Sequence, residues 1–135
     1  MRIGVTGTRN GMNESQHHNI FLFLQSLDGE IELHHGDCVG VDYESSMIAD
    51  ILNMKIVCHP PEKDDLRAFS PYVSESRQPK SYFARNRAIV DECDILIVVP
   101  MDNEPQARGG TWYTHDYAKK KNKPVKIFYP DGRIE

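Results

Sequence analysis

Two hydrophobic periods take turns along the chain, and their order predicts an alternation of strands and helices. Residues 2–6 form a short apolar run that predicts a first strand. The turn-rich stretch 7–11 follows. Asn13 then stands where it can cap a helix with Ile20, Phe21, Leu24 and Leu27 on its apolar face, and Asp28-Gly29 ends that helix. Residues 30–35 alternate as a second strand, with Ile31 and Leu33 on one face. A second glycine-bearing turn, 36–40, leads into a helix over 41–53 whose apolar stripe is Met47, Ile48, Ile51 and Leu52. Residues 55–59 predict a third strand. Ser81 starts a helix reaching Glu92. Residues 94–99 then carry the unbroken run Ile95, Leu96, Ile97, Val98 and Val99, as a central parallel strand covered on both faces would. Gly109-Gly110-Thr111 opens the last long helix. Its end, Lys119-Lys120-Lys121, suits the negative pole of a helix. A last strand over 125–129 and a turn at 130–132 complete the pattern.

Five strands separated by four helical stretches predict an α/β fold. It is a single Rossmann-like three-layer domain over 1–135, with a mostly parallel sheet and right-handed crossovers. One segment breaks the rhythm. Residues 60–80 hold Pro60 and three further prolines, many charges and no clean period, and predict a long surface loop.

Composition narrows the class. With 135 residues, 39% hydrophobic and 27% charged, the chain can build one ordinary core. No apolar run of about 18 residues occurs, so no membrane span is expected. Residues 1–8 lack the charged start and apolar core of a signal peptide, so the expected location is cytoplasmic. Cys38, Cys58 and Cys93 are odd in number and widely spaced, which argues against a disulfide framework and a zinc knuckle. The net charge of −4 is no footprint for a nucleic-acid backbone.

Candidate chemistry gathers where strands end, which is where an open α/β sheet takes its ligands. The first strand runs into Gly7-Thr8-Arg9, and the second into Gly36-Asp37 followed by Gly40 and Asp42. The fourth is followed, after a loop, by Arg108-Gly109-Gly110-Thr111. Glycine lets a backbone approach a ligand closely, and a helix start offers free N–H groups to an anion such as phosphate. Arg85, Asn86 and Arg87 sit at a helix start, where core packing does not call for them and a phosphate clamp would. There is no P-loop signature and no dinucleotide fingerprint, so neither a P-loop NTPase nor a bound redox cofactor is expected. The adjacent pairs His17-His18 and His34-His35 do not predict a metal site, because neighbours in a strand point to opposite faces.

Taken in order, GVTGTR, HHGDCVGVD, YFARNRAIVDECDILIVVP and RGGTWYTHDYAKKKNKPV resemble the SLOG superfamily. It includes Lonely-guy phosphoribohydrolases, the Rossmann-like domain of DNA-processing protein A, and YpsA-like proteins. The resemblance spans Arg2 to Tyr129. It implies a Rossmann-like sheet that binds a nucleotide, nucleotide sugar or cyclic or ADP-ribose-like signal, with no further cofactor. It assigns the ligand to Gly7, Thr8, Arg9, Gly36, Asp37, Gly40, Asp42, Arg85, Asn86, Arg87, Gly109, Gly110 and Thr111. It also implies a homo-oligomer, a dimer or tetramer. Lonely-guy enzymes carry a catalytic glutamate in a motif resembling PGGxGTxxE, and here Thr114 falls at its position. Asp37, Asp42 and Asp116, with Glu104 in reserve, are the acids that could replace it in an N-glycosidase. The vacant position favours a binding protein, a sensor or a sequestering module.

Overall fold

The computed structural model describes all 135 residues. Ten elements follow one another: β1 (Arg2–Gly7), α1 (Glu14–Gln25), β2 (Glu32–His35), α2 (Val41–Ile51), β3 (Lys55–Cys58), β4 (Glu75–Ser76), α3 (Tyr82–Glu92), β5 (Ile95–Val99), α4 (Gly110–Lys120) and β6 (Val125–Ile127). The strands make one sheet in the order β4-β3-β2-β1-β5-β6, and every pairing is parallel.

Alternation along the strands sorts two cores. Ile3, Val5, Leu33, Ile97 and Val99 face one way and pack with Ile20 and Leu24 of α1 and Val41, Ile48 and Ala49 of α2. Leu96 and Val98 face the other way, against Ile89 and Val90 of α3 and Ala118 of α4. The sheet is therefore covered on both faces, as the apolar run of β5 requires. The same cover explains why His34 and His35, of opposite facing, are both fully buried.

Several expectations are refined. The sheet has six strands, because segment 60–80 contributes β4, a two-residue edge strand that pairs with β3. Nor is that segment a loose loop. Arg67 bridges to Cys38, Lys80 to Pro61, and the Ser46 and Ser70 hydroxyls meet at 2.8 Å. In α2 the apolar stripe lies differently: Ile51 is 67% exposed, and the small Ser45, Ser46 and Ala49 are buried instead. Small side chains let the helix sit close on β1, β2 and β3, where a larger stripe would hold it off. The helix stops at Ile51, and Asn53 has φ +57°, a left-handed terminus of the kind asparagine tolerates. The last strand is also shorter. Beyond Ile127 the chain turns at 130–132, and the tail pairs back antiparallel, Ile134 against Phe128.

The expected cap of α1 is present. Asn13 accepts from the Gln16 amide, and Gln16 reaches back to the Asn13 amide. The same buried Gln16 side chain donates to the carbonyls of Pro100 and Phe128, tying α1 to the ends of β5 and β6.

Candidate functional site

The strand order changes direction at β1: β2, β3 and β4 run to one side, β5 and β6 to the other. Such a switch point leaves a crevice between the two diverging connections, beyond the strand C-termini. A cleft of about 410 Å³ lies there. Its walls are Gly7 to Asn10 after β1, Pro100 to Asp102 after β5, and Arg108 to Trp112 at the start of α4.

The open end of α4 supplies the electrostatics. Gly109 caps it with φ +106°, a conformation that glycine adopts without strain, and no side chain caps the helix. The amides of Gly110, Thr111 and Trp112 find no protein acceptor. Arg9 and Arg108 line the same cleft and form no ion pair or side-chain hydrogen bond. Three free donors at a positive helix pole and two unpaired guanidinium groups suit an anion. Acid is scarce: Asp102, on the exposed segment after β5, is the only carboxylate on the walls.

The other sequence-picked residues are placed nearby but occupied. Gly7 and Gly40 allow close packing of backbone. A Cβ on Gly7 would come within 2.5 Å of the Val41 side chain, and one on Gly40, at φ +88°, within 2.5 Å of the Arg9 backbone. Gly36 leaves room for the Arg85 guanidinium, which would stand 2.5 Å from its Cβ. Asp42 is buried beneath this turn, accepting from the Gly36 and Cys38 amides at 3.1 and 3.2 Å. Burial pushes its carboxyl up to about 6, against the pull of Arg85 and the two amides. Asp37, at φ +55°, accepts from Arg67 Nε at 2.9 Å and the Ser70 amide at 3.0 Å, and so clamps segment 60–80 over the sheet edge.

Arg85 is buried, donating to the carbonyls of Gly36 and His59 and to Asn86 Oδ1. Arg87 turns to α4 and donates to the Tyr113 hydroxyl at 2.8 Å. Asp116 is exposed on the outer face of α4 beside His115, and Thr114 is buried with its hydroxyl donated to the Gly110 carbonyl. The structure thus gathers Gly7, Thr8, Arg9 and Gly109 to Thr111 on one cleft. It does not bring Asp37, Asp42 and Asp116 onto that cleft.

Sequence reasoning passed over three features. Asp102 sits in a polar loop with no periodic signal, and Arg108, which opens the glycine segment, is absent from the ligand set that the resemblance implies. A second cleft, of about 340 Å³, lies on the other side of Tyr82 and is formed largely by segment 60–80. Finally, His34 and His35 do diverge, but His34 finds a partner across the sheet. Its Nδ1 lies 2.9 Å from His59 Nε2, its Nε2 3.1 Å from Glu32, and Glu92 stands 3.7 Å beyond His59. His34, His59 and Glu92, and separately His35, Asp37 and Cys58, each bring three potential metal-ligating atoms within 4.8 Å of one another. Burial lowers the basicity of His34, His35 and His59.

Fold and crevice together define a Rossmann-like α/β protein with a cleft at its switch point, and solved structures share this fold. The molybdenum cofactor binding protein from the phototrophic bacterium Rippkaea orientalis superposes with a TM-score of 0.71 at 24% identity. The match covers 95% of this chain and 76% of that one. DNA processing protein A from Streptococcus pneumoniae gives 0.70 at 20% identity over 93% of this chain, which spans about half (49%) of that protein. The protein TM1055 gives 0.66 at 20% identity, covering 92% and 71% of the two chains. At these identities the likeness is one of fold. No family model and no curated protein matches the sequence.

Proposed function

We propose that this protein binds a nucleotide-derived small molecule, with a phosphate on the open end of α4 and the remainder lying along the cleft. The observation that carries the reading is the convergence of three unpaired amides and two unpaired arginines at the switch point between β1 and β5. Membership of the SLOG superfamily is part of the proposal, supported by the ordered motifs and by the fold shared with DNA processing protein A and TM1055. That a protein of this fold is named for binding a cofactor supports a small-molecule occupant. The net charge of −4 speaks against a polyanion. The role that fits is a sensor or a sequestering protein for a nucleotide, nucleotide sugar or cyclic or ADP-ribose-like signal.

An N-glycosidase acting on a nucleoside monophosphate is the alternative. Such chemistry needs an acid within reach of the scissile bond. Thr114 stands at the expected position, and Asp37 and Asp42 are engaged by backbone and by Arg67. Binding without turnover is therefore the preferred reading. The test is calorimetry with a nucleoside monophosphate on wild type and on Arg108→Ala, together with chromatography for free base after long incubation. Weakening of about ten- to a hundredfold in the variant is expected, from the loss of a charge-assisted bond, with no base released. Equal affinity in both proteins would remove the phosphate assignment, and base release by wild type would favour the enzyme.

A further inference from the structure

Tyr82 opens α3 and stands between two clefts. It lines the switch-point crevice and also the second cleft of about 340 Å³, and Leu66 and Cys38 line both as well. The two spaces are therefore neighbours across one short wall. Each is near the lower end of the range for small-molecule sites, roughly 300 Å³ and up.

The ring is held in place. The Arg85 guanidinium lies 5.0 Å from its centroid, and Phe83 meets it edge-on at 5.7 Å. The hydroxyl lies against Gly110, so close that a Cβ there would be 2.8 Å away. Tyr82 thus touches the residue that begins the anion-binding helix and also lines the second cleft. It nevertheless remains 43% exposed, and Leu66 is 39% exposed. An exposed tyrosine needs no ligand on its own account. One that is fixed by a buried arginine and shared between two clefts is a preorganised stacking surface, with little entropy left to lose when a ring settles on it.

We propose that the second cleft takes the heterocycle of the bound molecule, stacked on Tyr82 beside Leu66, and that Tyr82 selects ligands carrying a planar base over bare sugar phosphates. This rests on the phosphate reading above. Glu62, Lys63 and Asp65 stand on the wall of the same cleft. Ionised carboxylates only accept hydrogen bonds and an ammonium only donates, so the ring edge that matches this wall carries N–H donors beside a carbonyl acceptor, as guanine does.

The experiment is calorimetry with GMP and with ribose 5-phosphate on wild type, Tyr82→Leu, Tyr82→Phe and Arg108→Ala, with melting temperatures confirming that each variant folds. Wild type should bind GMP more tightly than ribose 5-phosphate. Tyr82→Leu should weaken GMP by about five- to a hundredfold, the range for one stacked base, and leave ribose 5-phosphate unchanged. Tyr82→Phe should bind GMP like wild type. GMP affinity unchanged in Tyr82→Leu, or both ligands weakened alike, would overturn the stacking role. Failure of the phosphate reading has a different signature: ribose 5-phosphate affinity unchanged in Arg108→Ala, whatever happens at Tyr82. Absence of GMP binding to wild type overturns both.

Discussion

Replacing Asp42 by asparagine should make the protein's stability less sensitive to pH in a defined window. The carboxyl is buried and raised from 3.8 to about 6, with desolvation as the largest cause. In the unfolded chain it ionises near its ordinary value. Between about pH 4 and 6 the folded state therefore holds a proton that the unfolded state has released, so wild-type stability falls as pH rises through that window. A shift of about 2 units corresponds to about 3 kcal/mol. Asparagine keeps an oxygen able to accept from the Gly36 and Cys38 amides, as Asp42 Oδ2 does, but it does not titrate. The assay is urea unfolding of both proteins from pH 4 to 7.5. The difference in unfolding free energy, Asp42→Asn minus wild type, should grow by about 3 kcal/mol toward neutral pH. Working with the difference cancels the groups shifted the other way, such as Glu32 and Glu75. Parallel curves would show that the Asp42 carboxyl has an ordinary affinity for its proton, and the burial argument would fail.

Other outcomes follow from named contacts. Asp37→Ala removes the acceptor of Arg67 Nε and the Ser70 amide; it should cost about 1–3 kcal/mol and speed hydrogen exchange and proteolysis in segment 62–70 while leaving β1 and β5 protected. Gly109→Ala meets no atom within 4 Å but forces a side chain onto φ +106°; backbone strain alone should cost about 1–3 kcal/mol, read by thermal unfolding, and an unchanged melting temperature would refute that geometry. Gln16→Leu is similar in bulk but strands the Pro100 and Phe128 carbonyls; the loss should be about 1–3 kcal/mol, seen as a lower urea midpoint with unchanged slope.

Much of the architecture was legible because strands and helices leave local periods. The unbroken apolar run of β5, the Asn13 cap and the polar, glycine-bearing strand ends could all be read from residues within a few positions of one another. The misreadings were non-local. Ile51 carries the right period but sits where the small Ser45, Ser46 and Ala49 bring α2 down on the sheet. Glu75 and Ser76 have no strand signal and pair only because β3 presents a free edge. Among site residues, Arg85 and Arg9 look alike in sequence. One is spent on the carbonyls of Gly36 and His59, the other is left unpaired at the crevice.

The sequence by itself determined that the chain alternates strand and helix, and that its glycines, arginines and aspartates fall at the strand ends. Hydrophobic period and turn chemistry act over a few residues, so these features are written locally. The tertiary structure decided the strand order, and with it that β1 and β5 lie side by side at the switch point. It also decided which polar groups are consumed by folding. Asp37 and Asp42 are matched to donors 4 to 33 residues away and Arg85 to carbonyls 26 and 49 residues away, whereas the Gly110, Thr111 and Trp112 amides are left open. A hydrogen bond between distant residues depends on where the whole sheet places them, and no period along the chain records that.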